Sequence, residues 1–140
     1  MTYLIDTSAL VRIIRRQAAP HRFEQVERGL VAICEPVLTE ALTLAEAARY
    51  ERVEEGLLAS YPWVLVPDDV WDMVRAARRE LATHSQHQGL SVADYLVMAT
   101  AMRHGLTVLH EDGDFETAAR LLPHFRQERL TASPPGTDTS

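Results

Sequence analysis

Lysine is absent from this chain of 140 residues, and all 14 of its basic residues are arginine. Walker-type phosphate loops and phospho-receiver sites both depend on a lysine, so neither kind of site is expected here. Cysteine occurs once, as Cys34, and cannot form a disulfide within the chain. Because it follows the apolar run "LVAI", we expect a small buried side chain at this position and not a nucleophile.

Long apolar runs are also missing. None approaches the roughly 20 residues that are needed to cross a bilayer. The segment "MTYLIDTSAL" has an acid within its apolar stretch and no basic residue before it, which is not the pattern of a secretory signal. We therefore expect a cytoplasmic protein that makes no contact with a membrane. The net charge of -6 argues against coating nucleic acid through a basic surface, but it is compatible with a nuclease whose acids share one site.

The chain is predicted to form one domain over residues 1–130, since its length suffices for a single buried core. Its apolar fraction of 46% and charged fraction of 24% are ordinary for a globular protein. Residues 131–140, "TASPPGTDTS", are small, polar and proline-containing, so we expect a disordered tail there.

Short apolar segments alternate with helical segments along the chain. Strands are predicted at 2–5, 30–34, 63–66, 106–110 and, at one edge of the sheet, 124–130. Helices are predicted at 9–17, 20–29, 36–61, 67–86, 91–105 and 114–122, the third with Gly56 as its candidate interruption. This alternation predicts an α/β fold, a three-layer α/β/α sandwich around a mainly parallel central sheet. Ligands of such sheets lie beyond the carboxyl ends of the strands, so function is expected at that edge.

Two acidic groups follow predicted strands. Asp6 comes directly after the first strand, where it could equally cap the next helix, a role worth about 1 kcal/mol. Glu111, Asp112 and Asp114 follow the strand "LTVLH", and a turn with Asp114 as the helix cap is the alternative interpretation. Three acids within four residues exceed what a turn requires. Their mutual repulsion would raise their pKa values unless a cation offset it.

Two further acids lie on predicted helices. Asp94 is in the first turn of "SVADYLVMATAMRHG", a helix that is apolar around most of its axis. Ser91 and Asp94 fit a capping box, which needs no other partner. A carboxylate in a desolvated region is nevertheless costly unless it is paired or bound to a metal, and the two interpretations are compatible. Glu40 lies at the margin of a core-facing stripe, from which it can reach a cleft or extend into water.

Taken jointly, four elements distant in sequence bring carboxylates toward one edge of the predicted sheet. Carboxylate oxygens without interleaved histidine or cysteine suit Mg²⁺ or Mn²⁺ rather than zinc. Such a cluster can hydrolyse phosphodiesters, because the metal activates water and stabilises charge on the attacking and leaving oxygens.

Two alternatives to a nuclease stay open. One is a non-catalytic protein-interaction module in which the acids cap helices. The other is a haloacid-dehalogenase-like phosphotransfer enzyme with Asp6 as the nucleophile. That chemistry wants a second aspartate where this chain has Ser8, and a later lysine, which is absent.

From residue 2 to about residue 130, the chain resembles the PIN-domain ribonucleases, and specifically the VapC-type toxins of bacterial type II toxin–antitoxin pairs. "YLIDTSALV" is similar to the family's opening strand with its first acid and an accompanying hydroxyl residue, Thr7 or Ser8. "PVLTEAL" is similar to the segment of the second acid, and "SVADYLVMATAMRHGLTVLHEDGDFE" to the C-terminal signature. The resemblance maps the four acids of the family and an auxiliary acid onto Asp6, Glu40, Asp94, Asp112 and Asp114.

The resemblance implies Mg²⁺- or Mn²⁺-dependent endonucleolytic cleavage of a structured RNA. It also implies a homodimer and a cognate, VapB-like antitoxin whose C-terminal segment lies over the active site. Asp6 and Asp94 would be direct or water-mediated metal ligands, Glu40 and Asp112 would complete the acidic pocket, and Asp114 would assist.

Other charged and polar residues stand outside this assignment. His110 occupies a position where many members carry a small hydroxyl residue before the fourth acid, and Glu35 is an extra acid without an assigned role. Arginines on two predicted helices could pair with phosphates, or could be solvated faces that pair with nearby acids. They are Arg12, Arg15, Arg16, Arg75, Arg78 and Arg79.

Overall fold

A parallel sheet of four strands lies at the centre of the fold, in the order β2-β1-β3-β4. The computed structural model describes residues 1–134 of the chain, so most of the predicted tail, from residue 135 onward, lies outside the described residues. The strands are β1 (Tyr3–Ile5), β2 (Val31–Ala32), β3 (Thr107–His110) and β4 (Gln127–Arg129). The helices are α1 (Thr7–Ile14), α2 (Pro20–Glu27), α3 (Glu35–Thr43), α4 (Tyr50–Ser60), α5 (Val70–Thr83), α6 (Val92–His104) and α7 (Gly113–Leu121), with a 3-10 turn at Ala47–Arg49.

The register aligns the carboxyl ends of the strands. Ile5 of β1 pairs with Leu109 of β3, and His110 pairs with Arg129 of β4, all in parallel. Consecutive strand residues point to opposite faces of a sheet. Leu4 and Ile5 are both fully buried, so helices must cover both faces. The predicted α/β sandwich around a parallel sheet is confirmed, with β4 as its predicted edge strand. Among the helices that residues 1–134 form, none combines the length and the apolar character that a bilayer crossing requires.

The strand predicted at residues 63–66 is wrong. Only Trp63 pairs there, through an isolated bridge to Ile33. The reason lies in the segment that would have to pair with it. In that segment α3 begins at Glu35, directly after its N-cap residue Cys34. The backbone beyond Ile33 therefore offers no extended partner. Leu65 is left 70% exposed, so no second face of this segment enters the core.

The long helix predicted at residues 36–61 is divided, but not at Gly56. It ends at Thr43, because the N–H groups of Leu44 and Ala45 donate to carbonyls only three residues back, which closes the last turn. Gly56 lies inside α4, and a Cβ atom there would meet nothing within 4 Å. It costs only the lower helix propensity of glycine, about 1 kcal/mol.

A buried arginine attaches the edge strand to α2. Arg22 is 1% exposed, and its Nε and Nη2 donate to the carbonyls of Leu130 and Arg129, both at 2.9 Å. Its Nη1 lies 2.8 Å from a carboxylate oxygen of Glu128, which also accepts a hydrogen bond from the Tyr3 hydroxyl at 3.0 Å. These five residues are called the Arg22 cluster below. They hold β4 against the rest of the domain.

Candidate metal site at the carboxyl edge

Asp6 lies buried where β1 ends. It is 3% exposed, and its N–H donates to the carbonyl of Leu109 at 3.0 Å, which places it beside the end of β3. Its carboxylate caps α1 by accepting from the N–H of Ala9 at 3.1 Å, and it accepts from Ser8 Oγ at 2.8 and 3.0 Å. Burial raises the pKa of Asp6 to about 6. The hydrogen bonds from Ala9 and Ser8 oppose that rise, and the charge of Asp94 adds to it.

Asp94 forms the capping box at the start of α6 that the sequence predicts. Its Oδ2 accepts from the N–H of Ser91 at 3.0 Å, while its own N–H donates to Ser91 Oγ at 3.1 Å. Its Oδ1 accepts no hydrogen bond from residues 1–134. Burial raises the pKa of Asp94, and the negative charges of Asp112 and Glu40 raise it further, against the hydrogen bonds from Ser91. The capping interpretation is confirmed, and the same carboxylate lies within electrostatic reach of two other acids.

Asp112 caps α7, so the alternative interpretation, with Asp114 as the cap, is wrong. Asp112 Oδ1 accepts from the N–H of Asp114 at 2.9 Å, because α7 begins one residue earlier than predicted, at Gly113. The Asp114 side chain therefore does not cap the helix, and it lies against Gly89. Burial raises the pKa of Asp114, and the charge of Asp112 adds to that rise.

Gly89 lies close to the Asp114 side chain, an approach that the sequence did not predict. A Cβ atom at this position would lie 3.0 Å from Asp114 Oδ1 and 3.2 Å from its Cγ. Only glycine leaves the Asp114 carboxylate in its observed place. The glycine itself is visible in the sequence, but its neighbour is 25 residues away and could be found only from the tertiary structure.

Glu40 is half-buried on α3, as its position at the margin of an apolar stripe predicts. It borders an apolar groove between α3, α5 and α6 that Trp71 and Leu96 also line. The negative charge of Glu40 adds to the raised pKa of Asp94.

The five acids form one electrostatically connected group, called the acidic edge below: Asp6, Glu40, Asp94, Asp112 and Asp114. Asp94 connects them, since it interacts with Asp6, with Glu40 and with Asp112. As the side chains stand, however, no three acidic, histidine or cysteine groups of residues 1–134 are close enough together to hold one metal ion. The structure thus brings the acids to one edge of the sheet without closing them into a coordination shell.

Of the two hydroxyl residues that the sequence pattern offers, Thr7 and Ser8, it is Ser8 that contacts the Asp6 carboxylate. Its Oγ donates to Asp6 and accepts the N–H of Glu111 at 2.9 Å, so one hydroxyl joins the turns that follow β1 and β3. The sequence pattern named both hydroxyl residues. Only the parallel pairing of β1 with β3 brings Glu111 within reach of one of them.

Glu111 does not belong to the acidic edge. Its carboxylate accepts from the N–H of Thr131 at 2.9 Å and from Thr131 Oγ1 at 2.7 Å, and Arg129 Nη1 lies 3.2 Å from it. Burial acts to raise the pKa of Glu111, but these hydrogen bonds and the charges of Arg12 and Arg129 hold it below its ordinary value. Glu35 accepts a hydrogen bond only from Thr39, at 3.2 Å, among the described residues, and stays at the surface.

The fold and the acidic edge together define a class, a parallel α/β sandwich with carboxylates at the carboxyl ends of its strands. The PIN domain matches residues 3–121 of the sequence. Ribonuclease VapC2 from Mycobacterium tuberculosis (strain CDC 1551 / Oshkosh) is 37% identical over 135 residues, which cover 95% of each chain. Ribonuclease VapC6 from the same strain is 36% identical over 104 residues, 74% of this chain and 82% of that protein. The chain therefore belongs to the PIN-domain family, and its relatives are VapC ribonucleases.

Solved structures have the same fold. DNA-bound VapBC from Salmonella typhimurium aligns with a TM-score of 0.75 and 20% identity, over 93% of this chain and 98% of that chain. VapBC2 from Rickettsia felis, bound to a DNA fragment from its promoter, aligns with a TM-score of 0.72 and 16% identity, over 92% and 98%. At these identities the similarity concerns the fold alone.

Proposed function

We propose that this protein is a divalent-metal-dependent endoribonuclease, the toxin of a toxin–antitoxin pair. The observation that carries the proposal is the acidic edge. Buried Asp6 and partly buried Asp94 sit beside further acids in a chain whose relatives are named ribonucleases. The proposed nuclease domain spans residues 1–130.

Mg²⁺ or Mn²⁺ is the proposed cofactor, held by Asp6, Glu40, Asp94, Asp112 and Asp114. The donor set fits a hard cation, because all five side chains offer carboxylate oxygens. The electrostatics favour it too, since burial and neighbouring acids raise the pKa values of Asp6, Asp94 and Asp114, and a cation would lower them. When bound, the ion would activate water and stabilise negative charge on the phosphate.

The residues of this chain would orient the ligands. Ser8 contacts both oxygens of the Asp6 carboxylate and connects it to the turn that carries Asp112. The capping box leaves Asp94 Oδ1 available, since no donor in residues 1–134 contacts it. α6 is a rigid support, because Val97, Met98 and Ala101 are all buried within the fold.

A structured RNA is the proposed substrate and a VapB-like antitoxin the proposed partner, with a homodimer as the proposed assembly in the cytoplasm. The solved structures named above are VapBC complexes, which supports an antitoxin partner. Co-expression with the product of a neighbouring small reading frame should yield a co-purifying complex that does not cleave RNA. Sedimentation of the protein alone should give twice the mass of one chain.

Asp94→Asn should lower Mn²⁺-dependent cleavage of a structured RNA by at least about 100-fold, because removing one preorganised electrostatic group at a reacting centre has effects of that size. The fold should persist, since asparagine can still accept from Ser91. Cleavage is measured by end-mapping of the products with Mn²⁺, with Mg²⁺ and with a chelator. Asp68→Asn, on an exposed acid, is the matched control. Full activity of the Asp94 variant, or equal loss in both variants, would contradict the proposal.

A non-catalytic interaction module is the second candidate, because three of the five acids do cap helices. Asp6, Asp94 and Asp112 all accept hydrogen bonds at helix starts. Thermal melting separates the two functions, since an ion that binds only the folded state must raise its stability by mass action. A higher melting temperature with saturating Mn²⁺ favours the nuclease, and an unchanged one favours the module. The phosphotransfer alternative has no support left, because the chain belongs to the PIN-domain family.

A further inference from the structure

His110 is completely buried at the carboxyl end of β3, next to the acidic edge. Its Nδ1 accepts the backbone N–H of Asp112 at 2.9 Å. A ring nitrogen that accepts carries no proton, so the proton is on Nε2, which lies 2.6 Å from Gln127 Oε1 and donates to it. The imidazole also packs against the buried ring of Phe115, with the ring centroids 5.2 Å apart and the ring planes inclined at 47°. Both ring nitrogens and one ring face are thus fixed.

The hydrogen bond from the Asp112 N–H to His110 orients Asp112, which is a proposed metal ligand. The Asp112 backbone is extended, with φ -137° and ψ 118°, so its N–H lies outside the hydrogen bonds of α7. His110 supplies the acceptor for this N–H, and the Asp112 carboxylate caps Asp114 at the same time. These two hydrogen bonds fix the peptide and the side chain of Asp112 from opposite ends.

The contact to Gln127 connects the imidazole to the edge strand. Gln127 begins β4, which pairs with β3 through Val108. The N–H of Leu130 donates to the carbonyl of His110 at 2.7 Å, and the Arg22 cluster holds the far end of β4 in place. The ring therefore spans from a rigid edge strand to the turn of Asp112.

We propose that His110 is a positioning residue that fixes the Asp112 carboxylate for metal binding by accepting the N–H of Asp112 while Gln127 holds its ring. This inference rests on the proposed function. It assigns no chemical step to the imidazole. Groups that orient metal ligands from behind typically affect metal affinity or activity by about 10- to 100-fold.

Two substitutions separate the two hydrogen bonds. In His110→Asn, the side-chain oxygen can take the place of Nδ1 and accept from Asp112, but nothing reaches Gln127. In His110→Gln, the amide nitrogen can take the place of Nε2 and donate to Gln127, but nothing accepts from Asp112. Both variants replace a buried ring by a smaller amide, so a purely structural role predicts similar losses in both.

The inference predicts different losses. His110→Gln should weaken Mn²⁺ binding, measured by calorimetry, by about 10-fold or more, whereas His110→Asn should stay within about threefold of the unsubstituted protein. Hydrogen exchange at the Asp112 amide should be slow in the unsubstituted protein and in His110→Asn, and fast in His110→Gln. Equal Mn²⁺ affinities or equal exchange rates in the two variants would overturn the positioning role.

Gln127→Ala provides a second route if the buried substitutions prevent folding. Gln127 is only half-buried, so its truncation should leave the fold intact, free the imidazole ring and lower Mn²⁺ affinity by about two- to threefold. Unchanged affinity in this variant would also overturn the inference. If the unsubstituted protein neither binds Mn²⁺ nor cleaves RNA, the proposed function fails and this inference fails with it. If that protein does both and the variants match it, only the role of His110 fails.

Discussion

The Arg22 cluster and the acidic edge differ in how their buried charges are compensated. The Arg22 guanidinium meets two carbonyls and a carboxylate, so each of those contacts joins opposite or complementary partners. At the acidic edge, burial raises the pKa values of Asp6 and Asp94. Neighbouring acids raise them further, since Asp94 acts on Asp6, and Asp112 and Glu40 act on Asp94. A cluster that is neutralised internally contributes to structure. One with an excess of like charge is compensated only from outside, which is the electrostatic basis for proposing a cation there.

The largest effect on stability should come from disrupting the Arg22 cluster. Arg22→Met should lower the free energy of unfolding by about 3–5 kcal/mol, because it removes one partner of a buried charged network and leaves the others unpaired. Urea unfolding measures the loss. The matched control is Arg126→Met, since Arg126 is exposed and donates to a single carbonyl, that of Gly105. It should cost less than about 1 kcal/mol. Equal losses in the two variants would show that the Arg22 cluster is not a structural centre.

The next effect is a change in stability with pH, and it comes from the acidic edge. The pKa of Asp6 rises from 3.8 to about 6 on folding, so the folded state binds this proton more tightly than the unfolded state. Its contribution to stability is complete below pH 4 and is lost as the pH rises through about 6. Since one pKa unit corresponds to about 1.4 kcal/mol, the loss is about 3 kcal/mol.

Asp6→Asn removes this loss, because the amide does not ionise and can still cap α1. Without metal, the stability of the variant relative to the unsubstituted protein should therefore increase by about 3 kcal/mol between pH 4 and pH 8. Urea unfolding at a series of pH values provides the measurement, and Asp68→Asn should show no such trend. Saturating Mn²⁺ should reverse the order at pH 8. A difference that is independent of pH would mean that burial of Asp6 carries no electrostatic cost.

The fold could be predicted where local pattern decides it. Alternating strands and helices predicted the parallel α/β sandwich, and the order of the elements predicted that Asp6 and Asp112 lie at the edge where the strands end. The segment at 63–66 has a strand-like composition but lacks an extended partner, because α3 begins directly after Cys34. Pairing depends on where a distant segment ends, and the composition of the strand itself does not contain that information.

The site could be predicted as a set of residues but not as a set of contacts. Strand ends and helix positions pointed to Asp6, Glu40, Asp94 and the run from Glu111 to Asp114, and only the resemblance to PIN-domain ribonucleases narrowed that run to Asp112 and Asp114. The hydrogen bond between His110 and Gln127, and the approach of Gly89 to Asp114, join segments that only the tertiary structure brings together. The burial of Arg22 was missed for the same reason, since its partners lie more than 100 residues away.

The smallest effect should come from the margin of the acidic edge, at Gly89. Gly89→Ala places a Cβ atom 3.0 Å from Asp114 Oδ1, and the flexible carboxylate can move aside, so stability should change by less than about 1 kcal/mol. If Asp114 assists the metal, Mn²⁺ affinity measured by calorimetry should fall by about two- to threefold, a modest loss for a displaced auxiliary group. Gly56→Ala, in open space on α4, should raise stability by about 1 kcal/mol and leave the affinity unchanged. The same Mn²⁺ affinity in both variants would mean that Asp114 does not assist the metal, and the proposed metal ligands of the acidic edge would then be four acids.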